Sequence, residues 1–303
     1  MPKVSTIIPN YNGKSLLKRF LPTVLKCLNT TDEVIIVDDT STDDSVSYLV
    51  RNYKLQLTKK VTIPTKVSKS YFPQLKNLNY KLYTNKVIVG KHTVTILLVA
   101  LEKNIRFAAA VNAGILFSSG DYLFILNSDV KPTLEARNQL IKHFADPLVF
   151  GVGCLEYETE SGGEKSGKNK LWFEKGIFMH SKATDFASGE TAWVSGGSGM
   201  FDKKKWIALN GFDQAFYPAY WEDVDLSFRA RRNGWKVLFD NKAVVYHIHE
   251  STNSDAFGEQ KIAQMSWKNA TAFVEKNATF FQLLAYYLFK PYWKYKQRKQ
   301  VGI

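Results

Sequence analysis

The first half of the chain alternates short apolar runs with segments whose apolar residues recur at helical spacing. The apolar runs are rich in β-branched and aromatic residues, as buried strands are, and they cover residues 4–9, 33–37, 94–101 and 122–126. Between the first two runs, leucine, phenylalanine and valine repeat over 16–28 every three to four positions, which predicts an amphipathic helix. This strand–helix–strand order is typical of a parallel sheet with right-handed crossovers. We therefore expect an α/β fold with a Rossmann-like, mostly parallel central sheet flanked by helices.

Weaker patterns predict the elements that follow. The polar residues 41–43 are suited to cap a short helix, and a proline at the start of 132–145 predicts that a helix opens there. Residues 149–155 predict another strand. Residues 156–170 and the glycine-rich 195–200 predict a loop and a tight turn.

Residues 217–235 place three carboxylates, Glu222, Asp223 and Asp225, at the start of a predicted helix. Acidic side chains there complement the partial positive charge of a helix N-terminus, and Asp225 and Arg229 have the i,i+4 spacing of a supporting ion pair. On its own the pattern describes a well-capped surface helix. The surrounding motifs decide whether it is also a catalytic site.

The end of the chain combines aromatic and basic residues. Two short strands and two helices are predicted after the acidic segment, over residues 237–239, 243–246, 257–276 and 279–289. The stretch 280–303 is rich in Phe, Tyr and Leu and ends in Lys and Arg, which suits peripheral docking on an anionic membrane. The alternative is a helix that packs on the rest of the protein with a solvated basic tail. We favour docking.

Residues 52–92 interrupt the α/β alternation. The 51–101 stretch contains Arg51 and nine lysines and no Asp or Glu, although the net charge of the whole chain is +13. Its periodicity is weak, so we expect a basic insertion that is either β-rich or poorly ordered, and that either faces acceptor or membrane or has no part in catalysis. A cluster of positive charge also raises the alternative of a nucleic-acid-binding protein.

Composition narrows the class of protein. A hydrophobic content of 45% and an aromatic content of 14% are typical of folded globular proteins. Two distant cysteines, Cys27 and Cys154, exclude a disulfide framework and a C-x-x-C metal site and favour a reducing compartment. No signal-peptide pattern precedes the first strand, and no apolar run reaches the roughly 18–20 residues of a membrane span. We expect a cytoplasmic protein.

Polar residues end three of the predicted strands, at Asn10, Asp38–Asp39 and Asn127–Asp129. Ligands of open α/β sheets bind beyond the carboxyl ends of the strands, so these positions define a candidate cleft. Mg²⁺ or Mn²⁺ takes one or two carboxylates together with phosphate oxygens, a combination that Asp129 suits. His247 and His249 follow a strand on one face and are both candidates to complete the metal site.

The order of these motifs resembles the family 2 nucleotide-sugar glycosyltransferases, and the likeness is closest to bacterial rhamnosyltransferase-like members of polysaccharide synthesis. The segments that carry it are VSTIIPNYNG, EVIIVDDTSTDDS, EKNIRFAAAVNAGI, DYLFILNSDV, GGSGMFDKKKW, NGFDQAFYPAYWEDVDLSFRARRNGW and VVYHIHEST. The resemblance implies the GT-A fold, inverting sugar transfer and a divalent metal. It implies one catalytic domain over 1–255, with a nucleotide-binding half 1–155, an acceptor half 156–255, and C-terminal helices over 256–303.

The resemblance also implies roles for individual residues. Those that would contact the nucleotide-sugar donor are Pro9, Tyr11, Asp39, Arg106, Asn127 and Asp129. A donor or acceptor loop would contain Gly197, Ser198 and Trp221. Asp129 and His247 would bind Mg²⁺ or Mn²⁺, and Asn127 replaces the first aspartate of the DxD-type motif. Asp223 would be the catalytic base, with Glu222 beside it.

The expected reaction is transfer of a sugar from a nucleoside diphosphate to a glycan or lipid-linked acceptor, at the inner face of the plasma membrane. A nucleotidyltransferase is the first alternative, but it requires a glycine-rich, basic triphosphate loop after the first strand, which Asn10–Gly13 is not. The nucleic-acid-binding alternative predicts salt-sensitive binding that survives loss of Asp129 and Asp223. We expect no nucleic-acid partner. The sequence does not select the donor sugar, the acceptor or the oligomeric state.

Overall fold

The computed structural model describes residues 2–62, 72, 75, 78–248 and 258–301. Within them a mixed central sheet has helices on both faces and a pair of long helices at the C-terminus. The helices are α1 (Lys14–Cys27), α2 (Ser45–Asn52), α3 (Arg106–Phe117), α4 (Ala136–Ile141), α5 (Lys203–Ala208), α6 (Glu222–Arg232), α7 (Glu259–Asn277) and α8 (Phe280–Val301). Two 3₁₀ turns cover Lys142–Ala145 and Gln214–Phe216.

The strands follow the predicted apolar runs in the first half of the chain and add several polar strands in the second. They are β1 (Val4–Asn10), β2 (Glu33–Asp38), β3 (Gln56–Thr62), β4 (Asn79–Val89), β5 (His92–Leu101), β6 (Tyr122–Leu126), β7 (Val130–Pro132), β8 (Val149–Thr159), β9 (Gly162–Ser166), β10 (Asn169–Glu174), β11 (Ile177–Lys182), β12 (Gly189–Glu190), β13 (Ser198–Asp202) and β14 (Lys236–His247). The main sheet has the order β12-β14-β8-β13-β6-β1-β2-β5-β4-β3. β7 pairs with β14, β9 pairs with β8, and β10 and β11 form a separate hairpin.

Four neighbouring strands, β6-β1-β2-β5, are parallel, which brings their carboxyl ends to one edge. Alternate residues of these strands face opposite sides of the sheet. Ile8 and Ile36 belong to the core beneath α1 and α2, whereas Ile7 and Ile35 belong to the core beneath α3. α3 approaches the sheet closely because its Gly114 has no side chain: a Cβ there would lie 2.8 Å from methyl groups of Ile7 and of β2. The predicted sheet with helices on both faces is confirmed.

A third apolar cluster lies between the β10–β11 hairpin, the start of α6 and the C-terminal helices. Its buried members are Ile177, Phe178, Phe216, Trp221, Val224, Ala270, Phe273, Val274, Tyr286 and Trp293. Aromatic rings make most of these contacts; Phe273 of α7 lies 5.0 Å from Trp221 and 5.1 Å from Phe178, centroid to centroid. The C-terminal helices therefore pack directly against the helix that carries the acidic residues.

Several sequence predictions are wrong in detail. The predicted helix start at Pro132 is wrong because Val130–Pro132 pairs with β14, and the helix begins only at Ala136. The predicted loop over 156–170 contains the end of β8 and β9, and the predicted turn over 195–200 passes into β13 at the centre of the sheet.

Two other predictions concern residues 237–246 and the basic segment 52–92. Strands predicted over 237–239 and 243–246 are one strand, β14, with an irregularity between Asp240 and Val244. In the basic segment 52–92, the described residues form β3 and β4, which extend the sheet beyond β5 by antiparallel pairing.

Candidate active site

The acidic segment is held in an unusual backbone conformation where α6 begins. Tyr220 and Trp221 have left-handed φ values of 75° and 77°, which are costly for residues other than glycine and which concentrate at functional sites. The Asp223 carboxylate is fixed by two backbone donors: Oδ2 accepts from Gly196 N at 3.2 Å and Oδ1 from Val224 N at 2.8 Å. Asp223 is half-buried as a residue, and these two hydrogen bonds fix the orientation of its carboxylate.

Glu222 and Asp223 occupy different environments although they are adjacent in sequence. Glu222 is 6% exposed, and its Oε2 atom makes no hydrogen bond among the described residues. Burial and the charge of Asp223 raise the pKa of Glu222 to about 8. Burial also raises the pKa of Asp223, but the N–H groups of Gly196 and Val224 act in the opposite direction. The two N–H donors favour the charged form of Asp223, so a proton shared by the pair is favoured on Glu222 rather than on Asp223.

The glycine-rich segment before β13 connects the acid pair to the loop after β6. Gly197 O accepts from Asn127 N at 2.9 Å, while Gly196 N donates to Asp223. A Cβ at position 197 would lie 2.5 Å from Nδ2 of Asn127, so a larger residue there would displace the Asn127 side chain. Ser198, in contrast, is fully buried and donates its hydroxyl to Glu156. A direct sugar contact by Ser198, expected from the resemblance, does not fit this position.

Asp129 and His247, predicted from separate motifs, lie side by side. Their Oδ1 and Nε2 atoms are 3.3 Å apart, and both side chains are 14% exposed. The other ring nitrogen of His247, Nδ1, lies 3.5 Å from Oε2 of Glu156. Burial acts to lower the pKa of His247, but the carboxylates of Asp129 and Glu156 outweigh burial and raise it to about 10. The other predicted metal ligand, His249, lies outside the described residues.

Asp129 and His247 are suited to hold a divalent cation. Oδ1 of Asp129 is buried and lies 3.3 Å from Nε2 of His247, with no other donor among the described residues, so a cation between these two atoms would replace the proton that they share. Within residues 2–62, 78–248 and 258–301 no three His, Cys, Asp or Glu side chains are grouped around one point as a metal site. Two protein ligands match Mg²⁺ or Mn²⁺ sites that are completed by water and phosphate oxygens.

The predicted nucleoside residues lie at the carboxyl ends of β1 and β2. Tyr11 is 43% exposed, and Pro9 is half-buried beside it. Asp39 is buried, and its two carboxylate oxygens accept from the backbone N–H groups of Ile105 at 2.7 Å and Arg106 at 2.8 Å. Arg106 itself has a left-handed φ of 68°. Asp39 therefore holds the start of α3 against the strand ends, whatever else it contacts.

Trp221 has a different environment from the one expected. It is 4% exposed and packs edge-on against His180 at 5.1 Å and against Phe273 of α7, so the exposed side of the acidic segment is formed by other residues.

Sequence reasoning missed two residues that hold this site together. Glu156 joins Ser198 to His247, and Asn269 of α7 donates through Nδ2 to the carbonyl oxygens of Phe216, Ala219 and Tyr220 at 2.8, 2.8 and 3.0 Å. Glu156 follows the apolar run GVGCL as Asp129 follows YLFIL, so the strand-end rule also selects it. Asn269 has no such signal, because its partners lie about 50 residues earlier in the chain.

Comparison with known proteins identifies the fold and the family. The sequence profile described as Glycosyl transferase family 2 matches residues 5–65 and 89–205, which together are more than half of the chain. The chain belongs to glycosyl transferase family 2. It is therefore a glycosyltransferase, and the family resemblance of its motifs is confirmed.

Characterised members of the family differ widely in sequence from this one. The O-antigen chain rhamnosyltransferase RfbN of Salmonella typhimurium is 22% identical over 258 residues, which cover 84% of this chain and 69% of the relative. The pre-mycofactocin glycosyltransferase of Mycobacterium tuberculosis is 24% identical over 148 residues, 49% of this chain and 31% of that protein.

Solved glycosyltransferase structures share the fold. The mannosyltransferase PcManGT of Pyrobaculum calidifontis, solved with GDP-Man and Mn²⁺, aligns over 95% of this chain and 73% of its own with a TM-score of 0.56 and 16% identity. GalNAc-T7, solved with UDP, GalNAc and Mn²⁺, aligns over 91% of this chain and 48% of its own with a TM-score of 0.61 and 15% identity. These likenesses confirm the GT-A fold.

Proposed function

We propose that this protein transfers a sugar, with inversion, from a nucleoside-diphosphate sugar to a hydroxyl of a glycan or lipid-linked acceptor. The observation that carries the proposal is the Asp223 carboxylate, which two backbone N–H groups orient at the start of α6 beside the Gly196–Gly197 segment. That segment is hydrogen-bonded to the loop that ends in Asp129. The base and the diphosphate end of the cleft are therefore fixed relative to each other.

The reaction is a single displacement. Asp223 accepts the proton of the acceptor hydroxyl as its oxygen forms a bond to the anomeric carbon. The bond from that carbon to the diphosphate oxygen breaks, and the electron pair leaves with the nucleoside diphosphate. One base opposite the leaving group gives inversion. Glu222 is buried next to Asp223 in sequence, and its raised pKa favours the protonated form, which cannot accept a proton, so we assign the base role to Asp223 alone.

Asp129 and His247 are the proposed ligands of Mg²⁺ or Mn²⁺, which would neutralise the charge that develops on the departing diphosphate. Two fold neighbours were solved with Mn²⁺ and a nucleotide or nucleotide sugar, which supports this choice. Pro9, Tyr11 and Asp39 remain the proposed contacts for the nucleoside, at the carboxyl ends of β1 and β2.

The test begins with the donor, because binding stabilises the folded state by mass action. Thermal midpoints are measured with Mn²⁺ and a panel of UDP-, GDP- and dTDP-linked sugars, and the donor that raises the midpoint is used in a hydrolysis and transfer assay. Asp223→Asn is expected to retain the donor-induced shift and to lose turnover by about 10²–10⁴-fold. Asp185→Asn, a carboxylate whose side chain is 73% exposed, is the matched control and is expected to keep full activity. Full turnover by Asp223→Asn would remove Asp223 as the base.

We further propose that the enzyme acts at the inner face of the plasma membrane of a bacterium, on a lipid-linked acceptor. The relative RfbN is named as an O-antigen chain rhamnosyltransferase, which supports a glycan as the acceptor. None of the helices described is both long enough and apolar enough to cross a bilayer. We propose a peripheral contact, made through α8.

One face of α8 packs on the protein, and the opposite face is apolar and exposed. The buried face contributes Tyr286 and Trp293. The exposed apolar side chains are Phe280, Phe281, Leu284, Tyr287, Leu288 and Tyr295, which are between 53% and 79% exposed. Lysines 294 and 296 lie on either side of this face and are exposed. An apolar strip with flanking lysines is complementary to an anionic lipid surface.

Point substitutions test the docking without removing core residues of α8. Phe281→Ser with Leu288→Ser is expected to lower binding to vesicles that contain anionic phospholipid, measured by co-sedimentation, because it removes apolar area worth about 25 cal/mol per Å². Ile88→Ser is the matched control, since Ile88 is 83% exposed on β4. Equal binding by the two variants and the wild type would contradict membrane docking through α8 and leave the transferase proposal untouched.

A further inference from the structure

Glu156 is a buried carboxylate that none of the catalytic roles above uses. It lies in β8, is 7% exposed, and both of its oxygens are engaged. Oε1 accepts from the hydroxyl of Ser198, and Oε2 accepts from the hydroxyl of Ser166 at 3.1 Å and lies 3.5 Å from Nδ1 of His247. Burying a carboxylate is costly unless it is fully hydrogen-bonded, so this set of partners must be maintained.

The sheet brings these partners to Glu156 from three different strands. β8 lies between β13 and β14, and β9 pairs along the end of β8, with Ser166 opposite Glu156. Ser198 begins β13 and His247 ends β14. Two of the three partners are serines, which are small and neutral. The third is an imidazole whose opposite nitrogen, Nε2, faces Asp129.

A neutral imidazole donates from one ring nitrogen and offers a lone pair on the other, and the hydrogen bond made by the donor nitrogen selects the tautomer. A divalent cation would displace the proton that Asp129 favours on Nε2, whereas Nδ1 would keep its proton because Glu156 accepts from it; Nε2 would then present its lone pair to the cation. That lone pair lies on the side of Oδ1 of Asp129, which has no other donor among the described residues. Two ligands at right angles on one Mg²⁺ or Mn²⁺ ion with bonds of about 2.1 Å lie about 3 Å apart, and Oδ1 and Nε2 are 3.3 Å apart.

We propose that Glu156 is a positioning residue for the metal site: its Oε2 atom fixes the orientation and tautomer of His247 so that Nε2 and Oδ1 of Asp129 bind one divalent cation. The inference rests on the proposed function only in that it takes Asp129 and His247 as the ligands. Carboxylate partners of this kind orient metal-bound histidines and raise their basicity, and their loss typically costs about 10–100-fold in metal affinity.

A purely structural role is the alternative, in which Glu156 only joins β8, β9 and β13 through the two serines. The two roles separate because Ser198 and His247 contact different oxygens of Glu156, Oε1 and Oε2 respectively. Ser198→Ala removes the donor to Oε1 and leaves Oε2 beside His247. Glu156→Leu removes both oxygens while filling similar space. If Glu156 has only a structural role, both variants lose stability, and neither has a selective effect on the affinity for the cation.

The experiment measures Mn²⁺ alone, by the loss of the free-ion electron paramagnetic resonance signal on titration with protein, together with the thermal midpoint of each variant. Glu156→Leu is expected to raise the Mn²⁺ dissociation constant by about 10–100-fold. Ser198→Ala is expected to leave it within about threefold of the wild type, although it too lowers the thermal midpoint. If Glu156→Leu does not fold, Glu156→Gln replaces it and is expected to weaken binding in the same direction, because a neutral amide is a weaker acceptor than a carboxylate.

Wild-type affinity in the Glu156 variants, or an equal loss in Glu156→Leu and Ser198→Ala, would overturn the positioning role. Asp129→Asn distinguishes that outcome from failure of the metal site itself. If the wild type binds Mn²⁺ and Asp129→Asn does not, the metal site stands and the result for Glu156 decides the inference. If the wild type and Asp129→Asn take up Mn²⁺ equally, or not at all, both the metal site and the role of Glu156 are refuted.

Discussion

Asn269 offers a sharp test of how the acidic segment is held, because it acts from a helix that is remote in sequence. Its side chain is fully buried in α7, and its Nδ2 group faces the carbonyl oxygens of Phe216, Ala219 and Tyr220. These residues lead into Trp221, and Tyr220 and Trp221 have left-handed backbones that cost about 1–3 kcal/mol each. Asn269→Leu removes the donor and keeps the approximate volume.

The size of the effect follows from the number of hydrogens involved. An amide NH₂ group has two hydrogens, which three carbonyl oxygens share. Two hydrogen bonds contribute about 1–1.5 kcal/mol each, so Asn269→Leu is expected to lower the free energy of unfolding by about 2–3 kcal/mol. For a domain of this size each kcal/mol shifts the thermal midpoint by about 2–4 °C, which gives a fall of about 4–12 °C.

The effect of Asn269→Leu on turnover distinguishes Asn269 from a residue that only stabilises the core. The loop leads to the proposed base and not to the strand ends proposed for the nucleoside, so the turnover number is expected to fall while the Michaelis constant for the donor stays unchanged. Lys276→Ala, which breaks an exposed ion pair between α7 and Asp213, is the matched control and is expected to cost less than about 1 kcal/mol. A wild-type turnover number in a destabilised Asn269→Leu variant would refute the reasoning, because the loop would then be ordered without this clamp.

Three further predictions test other parts of the structure. The pKa of Glu222 is raised from 4.5 to about 8 by burial and its acidic neighbour, so its stabilising contribution is fully present below about pH 4.5 and is lost as the pH rises through 8. Urea unfolding of the wild type at several pH values should show the free energy of unfolding falling over this range. The same fall in Glu222→Gln would contradict the prediction. Gly176→Ala places a Cβ 2.6 Å from the backbone of α8. It is expected to lower the free energy of unfolding by about 2–4 kcal/mol and to speed proteolysis of α8. Gly90→Ala, with a left-handed φ but open space around it, should lower that free energy by only about 1 kcal/mol, and equal losses in the two variants would show that α8 can move aside. Arg137→Met leaves the buried Asp32 carboxylate without its two-nitrogen ion pair and should cost about 3–5 kcal/mol by chemical denaturation; a loss under about 1 kcal/mol would refute the pairing.

The parallel half of the sheet was predictable because its strands are buried on both faces. A strand such as β2 has six residues with no exposed side chain, so the apolar run itself shows where the strand begins and ends. The same logic located the strand-end residues, since parallel strands bring their carboxyl ends to one edge. Asn10 and Asp38 meet there, with Nδ2 of Asn10 donating to Asp38 at 2.8 Å.

The rest of the sheet mixes parallel and antiparallel pairs and was predicted less completely from such patterns. β9 has the sequence GGEKS, which has neither alternation nor apolar residues, and it is a strand only because β8 supplies its partner. β13 was mistaken for a turn because glycines usually end strands, whereas Gly199 here faces Gly153 in the close pairing of β13 with β8.

The contacts that complete the candidate site could not be predicted either, because they join residues that are far apart in the sequence. Glu156 meets Ser198 and His247 across 42 and 91 residues, and Asn269 meets its loop across about 50. No local pattern encodes contacts at such separations, so the sequence showed which residue types carry the chemistry but not which residues hold them in position.

The C-terminal helices contribute directly to the support of the candidate site. They were predicted as two helices with a basic aromatic tail, and docking was favoured over packing on the protein. In the structure α7 holds the backbone that precedes Asp223, and one face of α8 packs on the same core, where Nε1 of Trp293 donates to Lys175 O at 2.6 Å. The proposed membrane-facing strip of α8 and the proposed base are thus parts of one packed unit. If α8 docks on lipid, Asp223 is held at a fixed depth from the membrane surface, which suits an acceptor whose lipid end stays in the bilayer. Deleting α8 would also remove Tyr286 and Trp293 from the apolar cluster at the start of α6, so only substitutions on the exposed face of α8 can measure docking by itself.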